Sequence, residues 1–468
     1  MASLVIRSGR ADVSFDGIRT EFGLPSSFPA AVLAEAEAAV SRDPGDRPDL
    51  TSIPLVTIDP PGAKDLDQAL CVTKSPGGFT VHYAIADLGT FVTPGGPLDT
   101  EVRRRGQTLY LPDGNVPLHP TVLSEGAASL LPGVTRPAVL WTFECDAEGK
   151  PTSVEVRRAL VRSTAQFDYA AVQESFDAGT PHPSVAALAE FGPLRRAYAR
   201  ERGAIELQLP EQEIESNGSD WRLVTRPRTE VDGWNAEISL MTGMAAAEVM
   251  LEAGVGVLRT LPDPDPEAVK ALRKSAAALQ VPWPDDLSPG AFLAGLDAGT
   301  PEALVLFTDA TRLLRGAGYS AFNGEVPELT THAGVAAPYT HVTAPLRRLV
   351  DRFATEVCLA VTSGQDLPAW LAEALPRLPS LMGASDSLAA KVDRATLDQV
   401  EARVLAGRVG EEFDAAVLRS NENDAEIFVA EPPVLAKCSG KNIPEGERIR
   451  VKLTEADPAE RKVRFERA

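Results

Sequence analysis

The chain has 468 residues, 44% hydrophobic and 24% charged, an ordinary globular composition with length for two or three domains. Its 66 acidic residues against 46 basic ones give a net charge of −20, which excludes a protein that coats polyanions with a uniformly basic surface but allows a basic groove inside an acidic body. The apolar content is too high for a disordered acidic tail.

Residues 1–50 form a small preface, in which FDGIRTEFGLPSS and FPAAVLAEAEAAVS predict two short helices with a turn between them, a small helix-turn-helix-like unit. The opening MASLVIRSGRADV lacks a basic segment followed by a long apolar one, so no secretory leader is expected. From Thr51 the texture turns β-like. PLVTID and FTVHYAIADL are strands bounded by Pro/Gly turns, and TRPAVLWTFECDAEGKPTSVEVRRALV predicts two strands joined across Asp-Ala-Glu-Gly. Helical periodicity follows in SVAALAEFGPLRRAYARER, AEISLMTGMAAAEVMLEAGVGVL, DPEAVKALRKSAAALQ and PEALVLFTDATRLLRGAG. The stretch Met241 to Leu258 is the longest apolar one, but Glu248 and Glu252 make it a buried or amphipathic helix and not a membrane span. APLRRLVDRFATEVCLAVTSG predicts a helix capped by Thr343 with Pro345 in its first turn. LAAKVDRATLDQVEARVLAGRV predicts a long amphipathic helix. After Gly410 short strands return, in EFDAAVLRS, AEIFVAE, RIRVKLTEAD and KVRFERA, a pattern that suits a small β-barrel. Strands first and helices after argue for an α+β fold. Cys71, Cys145, Cys358 and Cys438 are far apart and without zinc spacing, as expected of free thiols in a reducing cytoplasm.

Three stretches carry chemistry. In PLVTIDPPGAKDLDQAL a strand ends in Asp59, a Pro-Pro-Gly turn follows, and Asp65 and Asp67 stand two apart, on one side of extended backbone. Hard cations such as Mg²⁺ take carboxylate oxygens brought together in this way and keep positions for water and phosphate, a setting for in-line phosphoryl displacement. The same residues also describe a solvated acidic turn. In HAGVAAPYTHVTAPLRRLVDR a loop with His332, Tyr339, Thr340, His341 and Thr343 leads into a helix bearing Arg347, Arg348 and Arg352, a phosphate site or simply a solvated arginine face. In EVRRRGQTLYLPDGNVPLHP, Arg103, Arg104 and Arg105 precede Tyr110 in a turn-rich loop. Basic residues beside an aromatic suit backbone tracking and base stacking, and equally a surface run beside a core tyrosine.

As an ordered series these segments resemble the catalytic domain of the ribonuclease II / ribonuclease R family, the RNB domain. TIDPPGAKDLDQAL is similar to its Asp-rich signature, VHYAIADLGTFV to the strand after it, LYLPDGNVPLHPTVLSEGAASLLPG to its Tyr-Leu-Pro loop, and YTHVTAPLRRLVDR to its late arginine motif. The likeness spans about residues 50–400. The tail from residue 411 resembles a C-terminal S1 RNA-binding domain. The resemblance implies an RNB catalytic domain of mixed sheets surrounded by helices over 51–410, plus a five-stranded OB-type barrel over 411–468.

It also implies a processive, Mg²⁺-dependent (or Mn²⁺-dependent) 3′-to-5′ hydrolysis of single-stranded RNA to nucleoside 5′-monophosphates by a cytoplasmic monomer. Asp59, Asp65 and Asp67 match metal-binding aspartates, with Asp65 and Asp67 placed at the chemistry. Arg347 matches the phosphate-contacting arginine and Arg348 the adjacent basic position. Tyr110 matches the aromatic near the 3′-terminal nucleotide. Asp393 falls where the family often has a glutamate that helps clamp the terminal nucleotides. Arg103, Arg104, Arg105, Tyr339 and His341 complete the expected RNA contacts. Two features depart from the pattern. Gln68 stands where the fourth signature aspartate belongs, and only about 50 residues precede the domain, without room for two cold-shock barrels. Gln68 as a neutral metal ligand would weaken a second metal site. It leaves open a catalytically impaired RNA-binding protein as the alternative, with hydrolysis of another phosphodiester such as DNA as a third reading.

Overall fold

A computed structural model describes residues 4–6, 14–207, 211–216, 221–226, 228–298 and 300–468. In chain order the first elements are β1 (Leu4–Ile6), α1 (Asp16–Glu21) and α2 (Ala30–Val40). The strands β2 (Leu55–Ile58), β3 (Gln68–Ser75), β4 (Gly78–Ala86), β5 (Thr135–Cys145) and β6 (Pro151–Phe167) follow, with α3 (Pro97–Arg105) between β4 and β5. These five strands close into a barrel, β2 pairing antiparallel with β3 and parallel with β6. The expected mixed sheets of the larger domain are thus built around a closed barrel. β4 and β5 set large buried residues side by side in register, Tyr83 opposite Trp141, and the Trp141 and Phe143 rings lie 6.3 Å apart at 11°. Closure leaves no sheet edge for a second chain to pair with.

Helices then cover the barrel: α4 (Tyr169–Asp177), α5 (Leu188–Arg202) and α6 (Glu230–Ala253), interrupted by β7 (Glu211–Ser216) and β8 (Trp221–Arg226). β1 pairs in parallel with β7, so the chain's first strand joins a three-stranded sheet with residues two hundred positions away. A capping box between Thr229 and Asp232 starts α6. This helix is buried along most of its length, from Val231 to Met250, and serves as the central post of the domain. It ends at Gly254, in left-handed conformation at φ 68°. Here the structure corrects the sequence reading. Val255–Thr260 is a strand, β9, paired antiparallel with β10 (Gly318–Asn323), and not the end of the helix. Between them α7 (Pro266–Ala278), α8 (Pro289–Ala294) and α9 (Pro301–Ala310) form a small helical unit with its own core around Leu272, Phe292, Leu306 and Phe307.

A short hairpin of β11 (Thr331–His332) and β12 (Ala337–Pro338) leads to α10 (Leu349–Thr362), then α11 (Ala369–Ala374) and the 28-residue α12 (Leu378–Leu405). α10 starts five residues later than the Thr343 cap predicted. Residues 345–347 form a turn, and Arg348 makes a β-bridge with Gln107. The C-terminal strands β13 (Glu412–Ser420), β14 (Asp424–Ala430), β15 (Pro433–Ser439), β16 (Arg448–Asp457) and β17 (Lys462–Arg467) close a second barrel. β15 is the strand the sequence did not announce, because it opens on a proline pair. Proline is tolerated at the first residue of a strand, and β15 closes the barrel by running parallel to β17. Val417, Ile427, Val451, Leu453 and Phe465 fill this barrel. Phe15, just before α1, and Ile18 on it join the same core as the second barrel, while α2 lends Val32, Ala36 and Ala39 to the core of the first. Among the described residues no helix is long and apolar enough to cross a membrane.

Candidate active site

Asp59 stands directly after β2, its backbone N–H held by the Phe167 carbonyl at 3.0 Å. The loop from Asp59 to Asp67 is latched by Ser129, whose hydroxyl accepts from Leu66 N–H at 3.0 Å and donates to the Lys64 carbonyl at 2.6 Å. Ser129 belongs to the LSEGAASLLPG segment, so that segment serves the acidic loop from a distance. Asp67 is buried at 4% exposure just before β3, with its carbonyl accepting from Ala86 N–H. Burial pushes all three carboxyls up: Asp59 to about 7, Asp65 above the ordinary range, and Asp67 well above it. The charge of Asp65 adds to the rise at both Asp59 and Asp67.

Across from the carboxylates lies the loop Thr343–Arg348. Leu346 N–H donates to Asp67 Oδ1 at 2.7 Å, and Arg347 Nε stands 3.7 Å from Asp67 Oδ2. Arg347 keeps 45% of its side chain exposed while most of its neighbours are buried. Its carbonyl accepts from Thr108 N–H at 3.0 Å, and the Gly106 carbonyl accepts from Leu349 N–H at 2.9 Å. This two-stranded contact also aims Tyr110, whose hydroxyl donates to Asp65 Oδ2 at 3.4 Å. Gly106 makes the approach possible. Its φ is 74°, and a Cβ there would lie 2.5 Å from Ser385 on α12. Asp59, Asp65, Asp67, Arg347 and Tyr110 therefore meet, although 288 positions separate the outermost, from 59 to 347.

Other expected site residues have different partners. Arg103, Arg104 and Arg105 end helix α3 and do not lie in a loop. Arg103 pairs with Asp99, and both Arg104 and Arg105 pair with Glu101. Each of the three has a carboxylate partner within its own helix, although Arg104 stays largely exposed. Arg348 is held by two 2.9 Å hydrogen bonds to Asp351, and Arg352 by Asp99. The expected arginine-bearing helix start is thus reduced to one available guanidinium, that of Arg347. Tyr339 and His341 are packed edge to face at 5.5 Å, and the His341 Nδ1 lies 2.8 Å from the Tyr319 hydroxyl. Gly243 on α6 gives Tyr339 its space, since a Cβ there would sit 2.2 Å from the ring. Arg259 covers Tyr319 at 4.5 Å and pairs with Asp386 at 2.9 Å. Sequence reasoning missed Tyr319, Arg259 and Asp386; the V-x-V alternation after Gly254 was the available signal for Arg259. Asp393 is exposed on α12, with no described link to the carboxylates.

A divalent cation suits this donor set. Asp59 Oδ2 is buried without a hydrogen-bond partner, and the three carboxylates are hard oxygen ligands that raise one another's affinity for positive charge. In the present conformation no three acidic, histidine or cysteine side chains among the described residues are gathered closely enough to define a cation site. Gln68 is engaged through its nitrogen. Its amide nitrogen donates to the Thr343 carbonyl at 2.5 Å.

The RNB domain model matches residues 47–361, and the RNase II-type exonuclease C-terminal S1 domain model matches residues 411–468. The chain belongs to the RNB-domain family. Ribonuclease R of Chlamydia trachomatis is 26% identical over 422 residues, covering 86% of this chain and 59% of that protein. The chain thus spans under two thirds of the length of that RNB relative. Two solved structures share the RNB fold. Mycoplasma genitalium RNase R in complex with ribose methylated single-stranded RNA superposes with a TM-score of 0.87 at 19% identity, over 97% of this chain and 77% of that one. Yeast Ssd1, a pseudonuclease, superposes at 0.70 with 16% identity, over 93% and 53%. A protein named RNase R and one called a pseudonuclease thus share this fold, so the fold by itself does not decide activity.

Proposed function

We propose that this RNB protein is a hydrolytic 3′-to-5′ exoribonuclease acting on single-stranded RNA and releasing nucleoside 5′-monophosphates, as a monomer in the reducing cytoplasm, where its four buried thiols stay free. The observation that carries this reading is the meeting of Asp67 with Arg347 at 3.7 Å, carboxylate and exposed guanidinium side by side. A phosphate drawn to Arg347 lies next to the carboxylates, and the planar guanidinium can follow charge onto the phosphoryl oxygens as water attacks. Tyr110 reaches the same point with an aromatic face and a hydroxyl, suited to stacking on the terminal base. Asp59, Asp65 and Asp67 would hold Mg²⁺ or Mn²⁺, which supplies an activated water and stabilises the leaving 3′-oxygen. The binding of single-stranded RNA by the mycoplasma relative supports this substrate.

The purified chain, given a 3′-tailed single-stranded RNA with Mg²⁺, is expected to release mononucleotides, to stop on addition of EDTA, and to leave the DNA counterpart intact. Asp67→Asn keeps the oxygen that accepts from Leu346 and removes the charge, so it is expected to bind RNA without cutting it. Full activity in that variant would refute the assignment. Gln68 and the loosely gathered carboxylates favour a second reading, an RNA-binding protein impaired in catalysis. Retention of RNA without digestion at any Mg²⁺ or Mn²⁺ concentration would select it.

A further inference from the structure

We propose that Gln68 is a positioning residue: its side-chain amide ties the start of β3 to the loop that carries Arg347, and it is not a metal ligand. Gln68 Nε2 faces the Thr343 carbonyl at 2.5 Å. The carbonyl has no hydrogen to give, so the amide must present its nitrogen; Oε1 at that place would set two acceptors against each other. One residue earlier, Asp67 Oδ1 accepts from Leu346 N–H at 2.7 Å. Adjacent side chains at the start of β3 thus grip one loop with opposite polarity, Gln68 at its first residue and Asp67 at its fourth. From the other side Asp351 Oδ1 accepts from Ala344 N–H at 2.7 Å.

The consequence falls on Arg347. Its described side-chain partner is Asp67 at 3.7 Å, too long for a strong hydrogen bond, so the guanidinium is placed chiefly by its backbone. That backbone is held by Thr108 and by the Gln68–Thr343 and Asp67–Leu346 ties. A carboxylate at position 68 has no hydrogen to donate, and its negative oxygens would face the Thr343 carbonyl. With this loop in place, position 68 calls for an amide, not for the acid that the family signature would put there. The role in hydrolysis rests on the proposed activity, but the tie itself does not.

Two isosteric variants separate a tie from a ligand. Gln68→Glu keeps the length and adds a carboxylate; Gln68→Met keeps the length and has neither donor nor charge. Hydrogen exchange of the amides in 344–347 is measured on the metal-free full-length chain, and kcat and KM on 3′-tailed RNA over a range of Mg²⁺. Both variants are expected to lose about tenfold in protection of the Leu346 amide, the scale of one hydrogen bond. Both are expected to lose about tenfold or more in kcat with KM little changed, and added Mg²⁺ does not restore it. Unchanged protection in both variants would overturn the tie. Wild-type-like or better turnover in Gln68→Glu with a lower Mg²⁺ requirement, beside a dead Gln68→Met, would make Gln68 a ligand position. If the unaltered chain digests no RNA, the proposed function fails while the exchange measurement still decides the tie.

Discussion

At the residue scale, burial and pairing determine which charged groups are free to act. The stretch 342–352 contains three arginines, yet Arg348 and Arg352 are held by Asp351 and Asp99, and Arg347 alone extends toward the carboxylates. Arg347→Ala is expected to lower kcat on RNA by about 10²–10³-fold, the usual cost of one donor to developing charge. Arg347→Lys should recover little of it, because an ammonium lacks the planar fork. A single-turnover rate within threefold of the unaltered protein would sink this role. Tyr110 touches Asp65 only through a long 3.4 Å bond, so its ring and not its hydroxyl is its main asset. Tyr110→Ala is therefore expected to shift the length of the final RNA fragment while leaving early turnover nearly unchanged, and Tyr110→Phe to keep the original length; denaturing gels of end products read both. Sequence motifs identified the aspartates, Tyr110 and Arg347, but could not show that Arg103–Arg105 are met by Asp99 and Glu101 on one helix face. That is decided by whether the run is helical, where i+3 and i+4 neighbours meet, or extended, where they do not.

At the element scale, the preface acts as a clasp. Arg19 on α1 grips Asp113 through bonds of 2.8 and 2.6 Å and the Gly114 carbonyl at 2.9 Å, while Phe15 N–H also donates to Asp113. Asp113 lies in the hairpin closed by Leu109 and Val116, which carries Tyr110. Glu21 of α1 meets Arg461 of the second barrel. Arg19→Ala is expected to cost about 1 kcal/mol of stability, since the pair is partly exposed. It is also expected to raise proteolytic sensitivity between residues 109 and 116 more than elsewhere, and uniform sensitivity along the chain would count against the clasp. The misread elements share one cause. Gly254 cuts an apolar run that is helical before it and extended after it, and the apolar texture is the same on both sides. The loop 343–348 looks like a helix start locally, but bonds to Asp67, Gln68, Gln107 and Thr108 hold it open. Long-range partners override local propensity.

At the scale of the whole molecule, stability depends on buried groups in fixed protonation states. Burial lowers His119 and His332 to about 4 and His341 well below its ordinary value, so these rings are neutral in the folded chain. The unfolded chain takes up protons near pH 6.5. Their contribution is therefore complete above pH 6.5 and is lost as pH falls from there toward 4. For His119, which is 3% exposed, this amounts to about 3 kcal/mol over the window. Asp87 acts lower. Its carboxyl is buried, yet Arg158 and Arg47 hold it below the ordinary range, so its contribution is present above about pH 4 and lost below. Asp59 and Asp67, pushed up by burial, act in the opposite sense over the same range, so the histidine contribution is read as a difference. The urea midpoint of His119→Gln relative to the unaltered chain is expected to rise as pH falls from 7 to 4, and a difference constant over this range would refute the account. Arg419, bound to Asp309 at 2.6 Å and to the Thr308 carbonyl at 2.9 Å, ties the second barrel to the helical unit.

Read alone, the sequence determined the α+β order, most of the strands and helices, the terminal barrel and the family's ordered motifs, because alternation, helical periodicity and turn residues are local properties of the chain. It also put −20 on the molecule while leaving open where the basic path lies. The tertiary structure decided which charges remain available. It closed the first five strands into a barrel, spent Arg103–Arg105, Arg348 and Arg352 on carboxylates, and brought Arg347 from the far end of the domain to Asp67. It also set the Gln68 amide against the Thr343 carbonyl. Each of these depends on partners dozens to hundreds of positions away or on burial, and neither is written in the spacing of neighbouring residues.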